Sequence, residues 1–363
     1  MTLLRIELQL QSPTCIGQRP TSPGQLTTTA GYLSGTAVRG GLASLWLAGR
    51  RYEQLDEDEQ RRFRQLFLEG AVTFGNAWPL YRDTTGRDWR TWIVPQSAWT
   101  EKRSGGWMGD RKSGVQDVLK ALLNRVPLSD ALDKLDRVGT EFTAERGGRW
   151  IGLAAKRRLI TRSALTRNES NLPSVSRSVV VAGQLYSFEA LEAGQRFAAV
   201  VSGDDGQIDI LTKQLEPGHT LLSLGQGRSR GMGRVLVRKT TVLLDEARSM
   251  DDLAGMARKF TERTGLIGGS ALLPVTLEAD VILRDHYLLP CSSGDPLETL
   301  SRYLPGVPPT MRLLYALQST HWLGGWDELG VFRAHPNSRC SKDQCGSIVY
   351  QKPSYMWPWL GGS

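Results

Sequence analysis

The sequence predicts an α+β protein whose core is a ferredoxin-like split βαβ unit. Residues 3–10, LLRIELQL, alternate from Leu4 onward: Leu4, Ile6, Leu8 and Leu10 share one face and Arg5, Glu7 and Gln9 the other, as in a half-buried strand. Helix-period and strand-period segments then follow in the order α, β, β, α, β, with a large insertion between them. A glycine-rich segment, GQGRSRGMGRV (225–235), leads directly into the last strand-like run, VLVRKTTVLL.

After the first strand comes a loop rich in Gly, Pro, Thr and Ser (11–31). In YLSGTAVRGGLASLWLAGRR, Ser34 or Thr36 can cap a helix whose Val38, Leu42, Leu45 and Trp46 share a face. That helix carries Arg39 beside Gly40 and Gly41. A helix-interior glycine costs about 1 kcal/mol against alanine, so a backbone or a ligand is expected to pack tightly there. EDEQRRFRQLFLE (57–69) is a second helix. Residues 76–114 hold Trp78, Trp89, Trp92, Trp99 and Trp107 among Gly, Arg, Asp and Ser, and read as a long irregular insertion with aromatic anchors. Core packing, subunit docking and stacking on unpaired bases all remain open for these rings. Residues 115–137 return to helical spacing.

From 156 to 182 there are six basic residues (Lys156, Arg157, Arg158, Arg162, Arg167, Arg177) and one acid, Glu169, which predicts a projecting hairpin that orders on an anion. QLYSFEALEAGQRFAAVVSG reads as two strands joined by EAG. DGQIDILTKQLEPGH reads as a helix with Ile208, Leu211 and Leu215 on one face. Beyond 245 the pattern gives a helical piece around 250–264 and short strands near 275–284 and 345–352. The divisions are therefore 1–75, first part of the core; 76–150, Trp-rich insertion; 151–244, hairpin, glycine-rich loop and rest of the core; 245–355, C-terminal extension; 356–363, a linker-like tail.

The 363 residues suffice for two or three domain-sized units or one elaborated domain. Net charge is +8 and the pI about 9.4, which favours an anionic partner, most simply nucleic acid. No run reaches the roughly 18 apolar residues that span a bilayer, and the N-terminus lacks a signal-peptide centre; a cytoplasmic protein is expected. Four cysteines (Cys15, Cys291, Cys340, Cys345) are too scattered for a disulfide framework. Cys340 and Cys345 form one loose pair downstream of His335, and a zinc site would need Cys291 or His321 besides; reduced thiols are the simpler reading. No cofactor and no metal are expected.

The 225–235 segment alternates four glycines with three arginines. Glycine lets the main chain approach a partner, consecutive N–H groups form an anion site, and arginine adds bidentate reach to phosphate. It is no dinucleotide fingerprint, since Arg230 stands where the third glycine belongs, and no Gly-Lys-Ser/Thr ends it. It also precedes a strand instead of opening a helix after the first one. A polyanion lying along Arg228, Arg230 and Arg234 fits better than a small nucleotide.

The first strand, the GTAVRGGLA helix start, the basic hairpin ending GQLYSFEALEAGQRF, and LGQGRSRGMGRV, in that order, resemble the RAMP superfamily of CRISPR effector proteins. FGNAWPL (74–80), LEADVILRD (277–285) and CGSIVYQ (345–351) are similar to the RAMP subunit of type III-D systems. Two departures stand out. Ser34 takes the place of proline in the family's Pro-Gly-Ser/Thr-x-x-(Arg/Lys)-Gly segment, and the cysteine pairs of several relatives are missing from 80–150. The resemblance implies a ferredoxin-like or RRM-like core that binds guide RNA (crRNA). It further implies target RNA contacted indirectly, and other RAMP subunits and the large subunit of the effector complex as partners. It assigns the guide's phosphates to Arg39 and Gly40 and to Gly225, Gly227, Arg228, Arg230, Gly231, Gly233 and Arg234. Lys156, Arg157, Arg158, Arg162, Arg167 and Arg177 become a thumb over the guide or against the next subunit.

Some RAMP subunits cleave target RNA with an aspartate in the loop after the first strand. Here that loop, QSPTCIGQRPTSPGQLTTTAG, has no Asp or Glu. Of the histidines (His219, His286, His321, His335) only His219 lies near the proposed RNA site, and Asp83, Asp88 and Asp110 fall in the Trp-rich insertion. The expectation is a non-catalytic guide-binding subunit. An endoribonuclease and a protein-only assembly module are the alternatives.

Overall fold

The computed structural model describes residues 2–18, 26–102, 107, 114–123, 134–146, 149–167 and 178–244, with 255, 257–262, 272, 324–326 and 332–334 beyond them. In chain order the elements are β1 (Thr2–Leu10), β2 (Gly17–Gln18), β3 (Thr28–Thr29), α1 (Gly35–Leu47), α2 (Glu57–Phe67), β4 (Thr73–Phe74), β5 (Trp78–Pro79), β6 (Tyr81–Arg82), β7 (Asp88–Ile93), β8 (Ala98–Glu101), β9 (Gln116–Asp117) and α3 (Val118–Leu123). They continue with β10 (Leu135–Arg137), β11 (Phe142–Arg146), β12 (Arg149–Leu153), β13 (Arg157–Arg167), β14 (Ser178–Leu191), β15 (Arg196–Gly203), α4 (Asp205–Gln214), β16 (Leu221–Ser223) and β17 (Arg234–Leu244). The chain divides into two units, Met1–Thr91 with Ala154–Asp245, and Trp92–Leu153 with Glu246–Ser363.

The first unit is built on an antiparallel sheet in the order β16-β17-β1-β15-β4, with β5 also pairing β15. Counted along the chain, its main strands β1, β4, β15 and β17 lie in the spatial order fourth, first, third, second. α1 and α2 connect the first two of these strands and α4 the last two. Alternation decides which face is covered. Leu4, Ile6, Leu8 and Leu10 are at most 1% exposed and pack with Phe197, Ala199 and Val201 of β15 and Val235 and Val237 of β17. The helices add Val38 and Leu42, then Phe63, Leu66 and Phe67, then Ile208 and Leu211, with Leu215 buried just past the end of α4. Each such aliphatic or aromatic side chain contributes about 1.5–3 kcal/mol on burial. A bulge between Glu7 and Leu8 shifts the β1–β17 register, so Arg238 falls between the paired residues Val237 and Lys239.

Helix starts follow their caps. The Ser34 hydroxyl accepts from Ala37 N–H, and an αL Ala48 ends α1. Asp56 accepts from Glu59 N–H at 2.8 Å while Glu59 answers Asp56 N–H at 3.3 Å. This is a reciprocal capping box at the start of α2. Asp56→Ala is expected to lower stability by about 1 kcal/mol in urea unfolding, and a change within a few tenths would show that tertiary packing alone holds α2.

Where an irregular insertion is expected over 76–114, the described residues instead carry four short strands, β5 to β8. β8 is the centre of a three-stranded sheet, β10-β8-β9, and β11 and β12 form a hairpin that buries Phe142 and Ala144. Among the described residues of 115–137, the helical spacing holds for the short helix α3 and fails at 135–137. Residues 135–137 pair with β8, and the Arg137 guanidinium lies over the Trp99 ring at 5.7 Å. Cross-strand pairing and a cation–π contact win over local helical periodicity there. Asp117, whose carboxyl is pushed up by burial, accepts from Leu119 N–H at the start of α3. Residues 255 and 257–262 are helical. The strands expected near 275–284 and 345–352 lie outside the described residues, as do Cys291, Cys340, Cys345, His286, His321 and His335. No helix among the described residues is long and apolar enough to cross a membrane.

Candidate nucleic-acid interface

Three segments separated in sequence meet at one end of the first unit's sheet. The chain leaving β1 runs as an extended strut and bonds in turn to its neighbours. Gly233 N–H donates to Pro13 O (2.9 Å), Thr14 exchanges both main-chain bonds with Leu191 of β14 (3.1 and 2.8 Å), and Gln226 N–H donates to Cys15 O (2.9 Å). Ser12 Oγ accepts from Arg234 N–H at 3.0 Å. Cys15, Ala190 and Met232 are buried together with Ile160 and Phe188 against them. Burial, with the Glu189 carboxylate adding, pushes the Cys15 thiol up, so this sulfur is a packing group. The strut thus ties the glycine-rich loop to the root of the basic hairpin. The composition of 11–31 signalled a loop but gave no sign of this bonding.

The glycine-rich loop is an ordered turn. Arg228–Arg230 form one 3-10 turn between Gly227 and Gly231, and Gly225, Gly227, Gly231 and Gly233 all have φ between 72° and 78°. A Cβ on Gly225 would fall closer than 3.0 Å to Cys15 O, and one on Gly233 closer than 3.0 Å to Leu224 O. Most loop amides donate inside the protein: Arg230 and Met232 to Gly227 O, Gly231 to Arg228 O, Gly233 to Pro13 O. Those of Gly225, Gly227, Arg228 and Ser229 have no acceptor among the described residues, and of these Arg228 and Ser229 are exposed. The glycines therefore shape the loop first, and what the loop offers outward is the exposed side chains of Arg228, Arg230 and Arg234 with the amides of Arg228 and Ser229.

The α1 start packs beside this loop. Gly41 is buried against Leu224 and Leu222, and Gly35 against the main chain of Phe74. Of the two glycines expected to mark tight packing, Gly41 meets that expectation, against the Leu224 side chain. Gly40 meets nothing within 4 Å and is exposed next to the exposed Arg39.

β13 and β14 pair from Arg157↔Leu191 to Arg167↔Ser178, which is the predicted hairpin. Lys156, Arg157 and Arg158 are exposed at its root. Arg162 is half-buried with its guanidinium 6.0 Å from the Phe188 ring centroid. Arg167 lies at the far end of β13, and Arg177 lies outside the described residues. Arg39, Arg228, Arg234, Lys156 and Arg158 pair with no acid among the described residues.

The acids and indoles of the insertion have structural partners. Asp83 accepts from the Thr85 hydroxyl, the Trp89 indole and the Arg87 amide, which hold it well below the usual carboxylate range. The bidentate Arg82 contact (2.8 and 3.1 Å) holds Asp88 low. Asp110 lies outside the described residues. Trp78 packs on Tyr32, Trp99 donates to Gln96 O and Trp107 to Thr140 Oγ1. His219 is exposed in the turn before β16, its N–H bonded to Glu216 O.

No protein-family model matches the chain, and no curated protein does. Solved structures do. A chain of a type III-B Cmr-beta complex bound to cognate target RNA is similar at 12% identity over 65% of this chain and 96% of that one, with a TM-score of 0.36. A chain of a type IV-B CRISPR complex is similar at 14% identity over 68% and 92%, TM-score 0.29. Oligomeric Cmr4 from Pyrococcus furiosus is similar at 11% identity over 67% and 98%, TM-score 0.28.

Proposed function

We propose that this chain is a non-catalytic guide-RNA-binding subunit of a CRISPR effector complex of the type III-D kind. It would hold the guide's backbone near the 5′ handle and contact neighbouring RAMP subunits and the large subunit. One observation carries the reading: an acid-free strut joins the Arg-bearing loop and the root of the basic hairpin in one hydrogen-bonded joint. Recognition is then by guanidinium groups, ammonium groups and a few amides on ribose-phosphate, which fixes shape and register with little reading of base sequence. The fourth-first-third-second strand order, with helices joining first to second and third to fourth, supports a ferredoxin-like core for the first unit.

The test is fluorescence anisotropy with a labelled, guide-length single strand of RNA over a range of salt. Affinity is expected to fall linearly on logarithmic axes with a slope of about −0.7 per phosphate contacted. Arg228→Ala with Arg230→Ala is expected to make that slope shallower by about 1.4 and to weaken binding about tenfold to a hundredfold. Affinity that ignores both salt and these substitutions would point to a protein-only assembly module. Site-specific cuts in guide or target RNA, abolished by changing one Asp or His, would make the chain an endoribonuclease.

A further inference from the structure

The basic hairpin leaves the core through two legs, and one side chain holds them together. The turn from β14 to β15 is tied to the end of β1 by main-chain bonds, Leu10 N–H to Gln195 O at 2.9 Å and Gly194 N–H to Leu10 O at 2.7 Å. The last main-chain rung between the legs is Glu192 N–H to Lys156 O at 3.0 Å. Beyond it the chains diverge, and the Gln195 carboxamide takes the place of the next peptide group. Its Oε1 accepts from Lys156 N–H at 2.7 Å, and its Nε2 donates to Lys156 O at 2.9 Å and to Glu192 O at 3.0 Å. We propose that Gln195 is a positioning residue that fixes the direction in which Lys156, Arg157 and Arg158 reach the RNA. This rests on the RNA-binding reading given above.

The chemistry selects this side chain. Answering both the N–H and the C=O of one residue needs an acceptor and a donor side by side in one plane, which a carboxamide supplies at neutral pH, where a carboxyl group has lost its proton. Asparagine is one methylene short. Glutamate would accept from Lys156 N–H but set a carboxylate against two carbonyl oxygens. Methionine keeps the length and loses every bond. The Lys156 bonds are solvent-exposed, so removing them costs the fold little. What is lost is the angle of the hairpin root. The cations there sit next to the place where the start of β13 is stitched to the turn that enters β15, so a small rotation moves all three charges together.

The experiment compares wild type with Gln195→Met by anisotropy on the same labelled RNA, by thermal melting, and by amide hydrogen exchange over 154–163 and 187–195 without RNA. Gln195→Met is expected to bind about threefold to tenfold more weakly. Its salt slope is expected to be shallower by about 0.7, with faster exchange at both legs. Arg158→Ala should cost less affinity in the Gln195→Met background than in wild type, because its phosphate contact is already misaligned. That comparison holds even if the melting temperature falls. Equal affinity and slope, or an equal cost of Arg158→Ala in both backgrounds, would overturn the proposal. If wild type binds no RNA the reading of the interface fails by itself, and unchanged exchange at the two legs then overturns the clamp separately.

Discussion

Gly233→Ala is expected to lower stability by about 3 kcal/mol or more and to weaken RNA binding with it, whereas Gly231→Ala, two residues away, costs only about 1 kcal/mol. Both glycines hold positive φ, 75° and 78°, so both substitutions meet the left-handed penalty of an L side chain. They differ in surroundings. A Cβ on Gly231 meets nothing within 4 Å, but one on Gly233 would fall closer than 3.0 Å to the carbonyl oxygen of Leu224, a backbone atom that cannot step aside. The two chains are locked at that point, since Leu224 N–H donates to Gly233 O at 2.8 Å and Gly233 N–H to Pro13 O at 2.9 Å. Relieving the clash breaks one of these bonds and detaches the loop from the strut. Urea unfolding followed by tryptophan fluorescence reads the stabilities, and anisotropy reads the affinity. If the two alanines cost the same, the close approach at Gly233 is not what the loop depends on.

This pair also shows what the sequence could and could not tell. Alternation in LLRIELQL announced one strand of the sheet, because burying one face imposes a period of two on the residues themselves, and the apolar runs in RFAAVVSG and VLVRKTTVLL announced two more. The Ser34 cap and the Ile208, Leu211 and Leu215 stripe were legible for the same local reason. The glycines were read as room for a ligand. Gly225, Gly227 and Gly233 make room for Cys15 O, Met232 and Leu224 O, and a missing Cβ looks the same in either case. The Trp-rich insertion was read as irregular because strands of two to six residues hardly show a period. Leu135–Arg137 is a strand only because it finds Ala98–Glu101, far away in the chain. The strut is of the same kind: nothing in PTC announces that Thr14 pairs with Leu191 and Cys15 with Gln226. Local chemistry was readable, whereas contacts made across the chain were not.

Glu7→Ala is expected to destabilise the first unit by about 3 kcal/mol, although Glu7 sits on the polar face of β1. Its side chain is only 9% exposed, and Arg196 Nη2 bonds it at 2.7 Å, itself 21% exposed. Arg5 stands 4.0 Å from its other oxygen, Arg196 also reaches Asp88 at 3.8 Å, and Arg82 closes the series on Asp88 at 2.8 Å. Lys239 faces Glu7 from β17. Removing the carboxylate leaves Arg5, Arg196 and Lys239 around one spot, with only the more distant Asp88 contact left to Arg196. The Nε of Arg196 is already buried without a hydrogen bond and its side chain is 21% exposed, so this guanidinium regains little hydration when the carboxylate is removed. The loss should therefore exceed what the Glu7–Arg196 pair contributes on its own. Replacing both partners by apolar groups, Glu7→Leu with Arg196→Met, removes the stranded charge together with the pair and is expected to recover most of the stability. Urea unfolding of the single and double variants decides it. A double variant as unstable as Glu7→Ala would mean that the pair itself, and not the orphaned arginine, holds this face of the sheet.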